Sequence, residues 1–429
     1  MSKDDVEIDI KKLLEKGKSL ITNECCIYRV PLNIRQLNED AYTPQVVSIG
    51  PFHHDSIDRL RDMESHKIMY CKSFLDRTHT TSESWISYIE GEEPKIRSCY
   101  SGTLVFDKKK LLEIIFVDCG FILELFWREY YDNVLSDDIN SLSAPWLDNM
   151  MLYDLLLLEN QLPFYVLDNL YSISSQFAAS YDSTCGRNRN IPSFIQLTYT
   201  FFGSFNRSQL TFVNYNEIKH FTDLIRFFHL KLPSGGEAAF SRSNKLLEHL
   251  PSATELSEAG VRFKVTKSKC LLDLKFTKSV LEIPQLLVQD SSELVFRNMV
   301  ALEQCHYPYK SYVTDYIVVL DFLVNTSHDV DLLVRKEILV NYLGDSDSAA
   351  KMINGLCKNV LETNFSFHYF RLCEDLNAFC RNPCRKLMST LKRDYCKGPW
   401  QTAATIAAIV LLVLSFVQTL CSIWEVYKR

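Results

Sequence analysis

The sequence predicts a mainly α protein: a large helical body, a small antiparallel β meander at about 261–289, and a C-terminal transmembrane helix. Three observations predict it. Most of the chain repeats apolar residues at helical spacing, the stretch from Val261 switches to strand-like alternation, and Thr402 to Trp424 runs without a charged residue.

Of the 429 residues, 47% are apolar and 23% charged, enough for a large core built as one big domain or two. The net charge of −6 provides no overall basic field, so nucleic acid is not an expected partner. The 26 Phe and 21 Tyr against 13 Gly argue against disorder and against Gly-rich phosphate loops, and no cofactor is expected. The 14 Cys are scattered apart from Cys25-Cys26 and a loose group at Cys373, Cys380, Cys384 and Cys396, so they read as free thiols. That group lacks the tight pairs a zinc site favours, and no metal is expected.

In chain order, residues 8–19 form a short amphipathic helix, followed by an extended segment punctuated by Pro31, Pro44 and Pro51. Its end carries His53 and His54. Neighbouring histidines diverge on any regular backbone and no spaced partner accompanies them, so a structural role is the simpler reading. A helix follows from about Arg59 to Arg77, in which Glu64 and Lys67 form an i,i+3 pair while His66 points elsewhere. Pro94 is expected to end the next helix. Lys108 to Tyr131 reads as one long helix, with Asp118 and Glu124 either at the edge of its apolar face or buried with a cation.

From Trp146 to Tyr171 the apolar residues occur all round, which predicts a central buried helix kinked at Pro163. Proline displaces the carbonyl four residues back, and the Asn160 and Gln161 amides are placed to satisfy the backbone groups set free. Glu159 is the candidate for a buried carboxyl with a raised pKa. It reads as part of a polar plug, with a general acid or base as the alternative, because no nucleophile, second carboxylate or metal ligand adjoins it.

Two more helices follow Pro192, and Leu232 to Lys245 reads as a linker. Beyond it Val261, Phe263 and Val265 alternate with Arg262 and Lys264, and two similar pieces complete the meander. Three helices return, the last running through DVDLLVRKEILVNYL.

The anchor spans roughly 34 Å at about 1.5 Å per residue, enough for a hydrocarbon core of about 30 Å. Trp400 precedes it, Thr402 opens it, Ile409 and Leu412 lie mid-span, and Trp424 and Tyr427 stand at the far end, where amphipathic rings favour the headgroup level. No apolar h-region opens the chain, and Arg381, Arg385, Lys386, Lys392, Arg393 and Lys397 precede the span against Lys428 and Arg429 after it. Both features put the body in the cytosol, at an endomembrane or the plasma membrane, and membrane lipid is the first expected partner. Asn206, Asn325 and Asn364 begin glycosylation sequons, and a glycan on any of them would reverse that topology.

Several blocks, in order, resemble the plant family known as DUF247 or UPF0481: VVSIGPFHH, MESHKIMYCKSFL, VDCGFILELF, DLLLLENQLPFYVLDNLY, LLEHLPSATELSEAGVRFK, FRNMVALEQCH and the anchor itself. The chain departs in having Asp118-Cys119-Gly120 where members usually have Asp-Gly-Cys, and Gly398 before Pro399-Trp400 where Asn is common. The resemblance implies a plant protein with a mainly helical body and a C-terminal span, and brings no accepted enzymatic activity. Some members are associated with reproductive recognition, which implies an interaction role.

The resulting organisation is a helical tail at 1–23, a body at 24–397 with a lobe boundary at the 232–245 linker, and the anchor and short tail at 398–429. The expected function is a membrane-anchored module that binds another protein. The alternative is an enzyme of undescribed kind using Glu159 with His53, His54 or His66.

Overall fold

The computed structural model describes residues 24–54, 58–135, 145–184, 191–210, 217–230, 241–243, 245, 249–360, 365–382 and 399–428. The expected N-terminal helix, most of the expected linker, and the basic run with Cys384 and Cys396 lie outside them. The chain divides into two compact units, Met1–Gly235 with Gln289–Asp315 and Gly355–Thr363, and Gly236–Val288 with Tyr316–Asn354 and Asn364–Arg429.

Unit 1 is built on helices α1 (Leu32–Arg35), α2 (Arg61–Thr78), α3 (Ser82–Ser98), α4 (Lys108–Leu135), α5 (Pro145–Asp154), α6 (Phe164–Thr184), α7 (Phe194–Phe201), α8 (Phe221–His229) and α10 (Asp290–His306). Helix α4 is its axis. Leu111, Ile115, Cys119, Ile122 and Phe126 recur on one apolar stripe and are buried, and α2, α3, α6 and α7 pack around them. Phe126 gathers Phe201, Phe202 and Phe221 at ring separations of 4.3, 5.8 and 5.4 Å. Gly120 lets α2 approach: a Cβ there would lie 2.6 Å from Cys71 Cβ and 2.8 Å from Cys71 Cα.

Buried carboxylates on α4 have cations. Asp118 pairs with Lys67, which is fully buried, also meets Glu64 at 2.7 Å and donates to Ser48 O at 2.8 Å. Burial alone pulls the Lys67 pKa down, but Asp118 and Glu64 outweigh it and leave the ammonium above its ordinary value. Glu124 binds Arg77 at 2.7 Å and Arg128 at 2.8 Å.

Unit 2 holds α9 (Ala253–Glu258), β1 (Arg262–Thr266), β2 (Lys275–Thr277), β3 (Val280–Pro284) and β4 (Leu286–Val288). After these come most of α11 (Tyr312–Leu323), then α12 (Ser327–Arg335), β5 (Leu339–Asn341), α13 (Ser346–Leu356), α14 (Phe367–Arg381) and α15 (Pro399–Lys428). The mainly α class is observed, and the sheet lies in the expected stretch. Its pairing differs from a meander. β1 and β3 are parallel, β2 is antiparallel to β3, and β4 pairs in parallel with β5.

Three expected helix boundaries are corrected. Pro94 lies inside α3, which continues one turn to Ser98; only one hydrogen bond is lost, and Cys99 N closes the turn on Lys95 O and Ile96 O. The helix expected through DVDLLVRKEILVNYL ends at Arg335, because Glu337 adopts φ +60° and the next residues join β4 as β5. The continuous helix expected from Trp146 to Tyr171 is broken rather than kinked. It stops at Asp154 and restarts at Phe164, leaving residues 155–163 non-helical.

Gly120→Ala should lower stability by about 1–3 kcal/mol, since the added methyl forces α2 from α4. Urea unfolding of the detergent-solubilised full chain would show it, whereas Gly91→Ala, where a Cβ meets nothing within 4 Å, should not destabilise.

Candidate functional site

The break between α5 and α6 is fully buried, so every backbone polar group in it needs a partner. Side chains provide them. Asn160 Nδ2 donates to Asp154 O and Val47 O, both at 3.0 Å, and Gln161 Nε2 donates to Leu155 O at 2.7 Å and Leu157 O at 2.8 Å. Thr222 Oγ1 donates to Leu156 O at 2.9 Å, while Leu158 N donates to Asn298 Oδ1 at 2.8 Å. Leu162 precedes Pro163, which disfavours the α conformation there and helps hold the segment open.

The same hub binds the extended N-terminal segment. Asp154 accepts from the amides of Gln45, Val46 and Val47 at 2.8, 2.6 and 2.9 Å, Asn160 Oδ1 from Ile49 N at 2.7 Å, and Asp118 from Gly50 N at 2.8 Å. Gly50 has φ +70°, and a Cβ on it would lie 2.6 Å from Gln161 O, so glycine alone fits between the two segments. Burial pushes the Asp154 carboxyl up to about 6 despite its three amide donors.

Glu159 is 3% exposed and fastens three points of that segment. Oε1 accepts from Val30 N at 2.7 Å, and Oε2 meets Arg35 at 2.9 Å and His53 Nε2 at 3.2 Å. Burial pushes its pKa up, but His53, Arg35 and the Val30 amide outweigh burial and hold the carboxyl below its usual range, opposite to the expected rise. The groups responsible lie more than a hundred positions away in sequence, and no local pattern announces them.

The structure therefore brings Glu159, Asn160, Gln161 and His53 into one buried cluster. His54 is also buried and packs edge-on against Phe106 at 5.8 Å, whereas His66 is exposed on α2 with Nδ1 3.2 Å from Asp62 O. Among the described residues no group of three or more His, Cys, Asp or Glu side chains has the arrangement of a metal site.

Sequence reasoning missed Arg35, Asp154, Asn298 and His220. His220 begins α8: Nε2 lies 3.0 Å from Cys26 O, and Nδ1 accepts from Asp223 N at 3.4 Å, so the neutral ring carries its proton on Nε2. Burial drives its pKa down to about 4.

Concavities open on unit 1 among the described residues. One of about 450 Å³ is lined by polar groups including Gln45, Tyr153 and Asp290; another, about 430 Å³, is an apolar groove between α3 and α4 lined by Ile86, Ile89, Leu112 and Phe116. Neither is lined by Glu159 or His53.

In unit 2, Ala403–Trp424 within α15 has a mean hydropathy of 2.5 and none of it is buried against the protein. By length and composition it can cross a membrane. Trp400, Ile409, Leu412, Trp424 and Tyr427 are all exposed on it, and Thr402 belongs to its first turns.

Residues 27–414 match the profile of DUF247, described as a plant protein of unknown function. The UPF0481 protein At3g47200 of Arabidopsis thaliana is 28% identical over 422 positions, covering 93% of this chain and 86% of that protein. The putative UPF0481 protein At3g02645 of the same plant is 25% identical over 488 positions, with coverage of 94% and 91%. No solved structure matches the chain significantly.

Glu159→Gln should destabilise the fold by about 2–4 kcal/mol, because Arg35 stays beside a neutral partner. Chemical denaturation checks this. His220 gives a pH signature: its folded pKa of about 4 lies below the ordinary 6.5, so the unfolded chain binds more protons between them. Its contribution, about 3 kcal/mol, is present above pH 6.5 and lost as pH falls towards 4. Asp154, raised to about 6, acts in the opposite direction over an overlapping window. The difference in acid slope between the native chain and His220→Gln in urea titrations isolates the histidine.

Proposed function

The chain belongs to the DUF247 family of plant proteins, and on that premise we propose that it is a membrane-anchored recognition module whose helical body binds another protein. The observation that carries the anchor is α15, whose apolar stretch from Ala403 to Trp424 finds no cover among the described residues. Lipid takes the place of a packing partner there. The excess of basic residues before the span supports a body in the cytosol, at an endomembrane or the plasma membrane.

For the body, the recognition role follows the roles that the family resemblance implies. It also fits what Glu159 does: its oxygens are occupied by Val30, Arg35 and His53, which makes it a fastening for the segment that begins the body. One contact favours a second reading. The 3.2 Å approach of His53 to Glu159 is the geometry a base and its orienting group would have. Substrate access weighs against it, since both side chains are buried.

Alkaline carbonate washing of plant membranes should leave the full chain in the pellet, while a chain ending before Pro399 should be released. Protease added outside intact microsomes should remove an N-terminal tag and spare a C-terminal one; protection of the N-terminal tag would reverse the topology. Affinity capture from the same membranes tests the body: repeated recovery of nothing beyond general chaperones would end the recognition reading.

A further inference from the structure

The outer face of the three-stranded sheet in unit 2 carries an excess of positive charge. Strand register places Lys264, Glu282 and Lys275 in one cross-strand row, with Arg262, Val280 and Thr277 in the next row on the same face. The opposite face holds Phe263, Leu281 and Phe276, and Phe276 meets Phe379 of α14 edge-on at 5.5 Å. One face is thus committed to the core, and the other is free to bind.

Around that outer face, Lys267 and Lys269 stand exposed in the loop after β1, and Lys278 stands exposed at the tip of the β2–β3 turn. Lys278 is held there at φ +60°, with Ser279 N bonding back to Thr277 O at 2.8 Å. Residues 261–288 contain six cations, all exposed, against two carboxylates, in a chain whose net charge is −6. Both carboxylates are already paired, Glu282 with Lys264 at 3.3 Å and Asp273 with Lys275 at 2.9 Å. Lys267, Lys269 and Lys278 form no ion pair among the described residues. A solvated protein surface ordinarily intersperses both signs; this one presents an unbalanced positive face.

Chain connectivity sets what that face can meet. Phe379 sits on the sheet two residues before α14 ends at Arg381, and α15 begins at Pro399. The connection between them reaches at most about 60 Å even when extended. The sheet therefore stays tethered near any surface that α15 enters, at a high effective concentration. We propose that the outer face of this sheet docks on the anionic lipid headgroups of the membrane that α15 enters, with Lys267, Lys269, Lys275 and Lys278 as the contacts. This rests on the reading of α15 as an anchor. Each lysine held at an anionic surface gains about fivefold in partition, and a few suffice for a tethered patch. The attraction is electrostatic, so it weakens as the screening length shrinks from about 10 Å at 0.1 M salt to about 3 Å at 1 M.

The test uses the full chain reconstituted in nanodiscs of phosphatidylcholine alone or mixed with phosphatidylserine, with lysine acylation rates read residue by residue by mass spectrometry. In the anionic discs Lys267, Lys269, Lys275 and Lys278 should label about five- to tenfold more slowly, while exposed Lys351 on α13 keeps its rate. Salt at about 1 M should erase the difference. In a variant combining Lys267→Gln, Lys269→Gln, Lys275→Gln and Lys278→Gln, the chain should still enter discs, and Lys264 should lose any slowing. Equal rates in both discs, with the chain disc-bound, would overturn the lipid contact and leave the anchor standing. Slowing that appears only when an acidic soluble protein is added would also overturn it. Failure to enter discs would remove the anchor reading and the contact together.

Discussion

The C-terminal residue of α5, Asp154, and the buried non-helical residues after it form a hub whose side chains hold both its own backbone and the N-terminal segment. Asp154, Glu159 and Asn160 bind main-chain amides at Gln45, Val46, Val47, Val30 and Ile49. Gln161 meanwhile closes the hub on itself and accepts from Phe221 N at 2.9 Å. Without these bonds, backbone groups in residues 27–54 and 155–163 would be buried unsatisfied, each at a cost of about 1–3 kcal/mol. Everything packed on that segment, including Tyr28 and Tyr42 against Leu158 and Leu302, depends on them.

Two glycines show how closely this arrangement is fitted. Gly50 admits the N-terminal segment to the hub, and Gly120 admits α2 to α4. Between them lies Lys67, whose ammonium links Asp118 on α4 to Ser48 O on the segment. A buried ion pair adds little net stability over an apolar pair, but it selects one register, since losing either partner strands a charge. Helix packing and segment docking in unit 1 are therefore coupled through one cation.

The carboxylates of the hub illustrate how environment sets chemistry. Asp154 and Glu159 are both buried, yet one is raised and the other lowered, because Asp154 is met chiefly by neutral amides and Glu159 also by Arg35 and His53. Burial was readable from the apolar residues around them; the sign of each shift was not. The partner groups come from residues 30–53, and sequence separation hides a contact that folding makes short. The same limit explains β5: the letters after Arg335 suit a helix as well as a strand, and the choice falls to pairing with β4.

By itself, the sequence determined the properties that depend on near neighbours. It determined the long amphipathic helix α4, a distortion of regular helix at Pro163, the strand-like stretch after Val261, the apolar span near the C-terminus and the likeness to one plant family. Periodicity, proline chemistry and uninterrupted apolar length act over a few residues, so they are legible in the order of the letters. Only the tertiary structure decided that 155–163 leaves the helix altogether, that Glu159 is a fastening with a lowered pKa, and that the sheet is mixed with its cations on one face. Those outcomes depend on satisfying buried polar groups and on strand register, and the partners that satisfy them are distant in the chain.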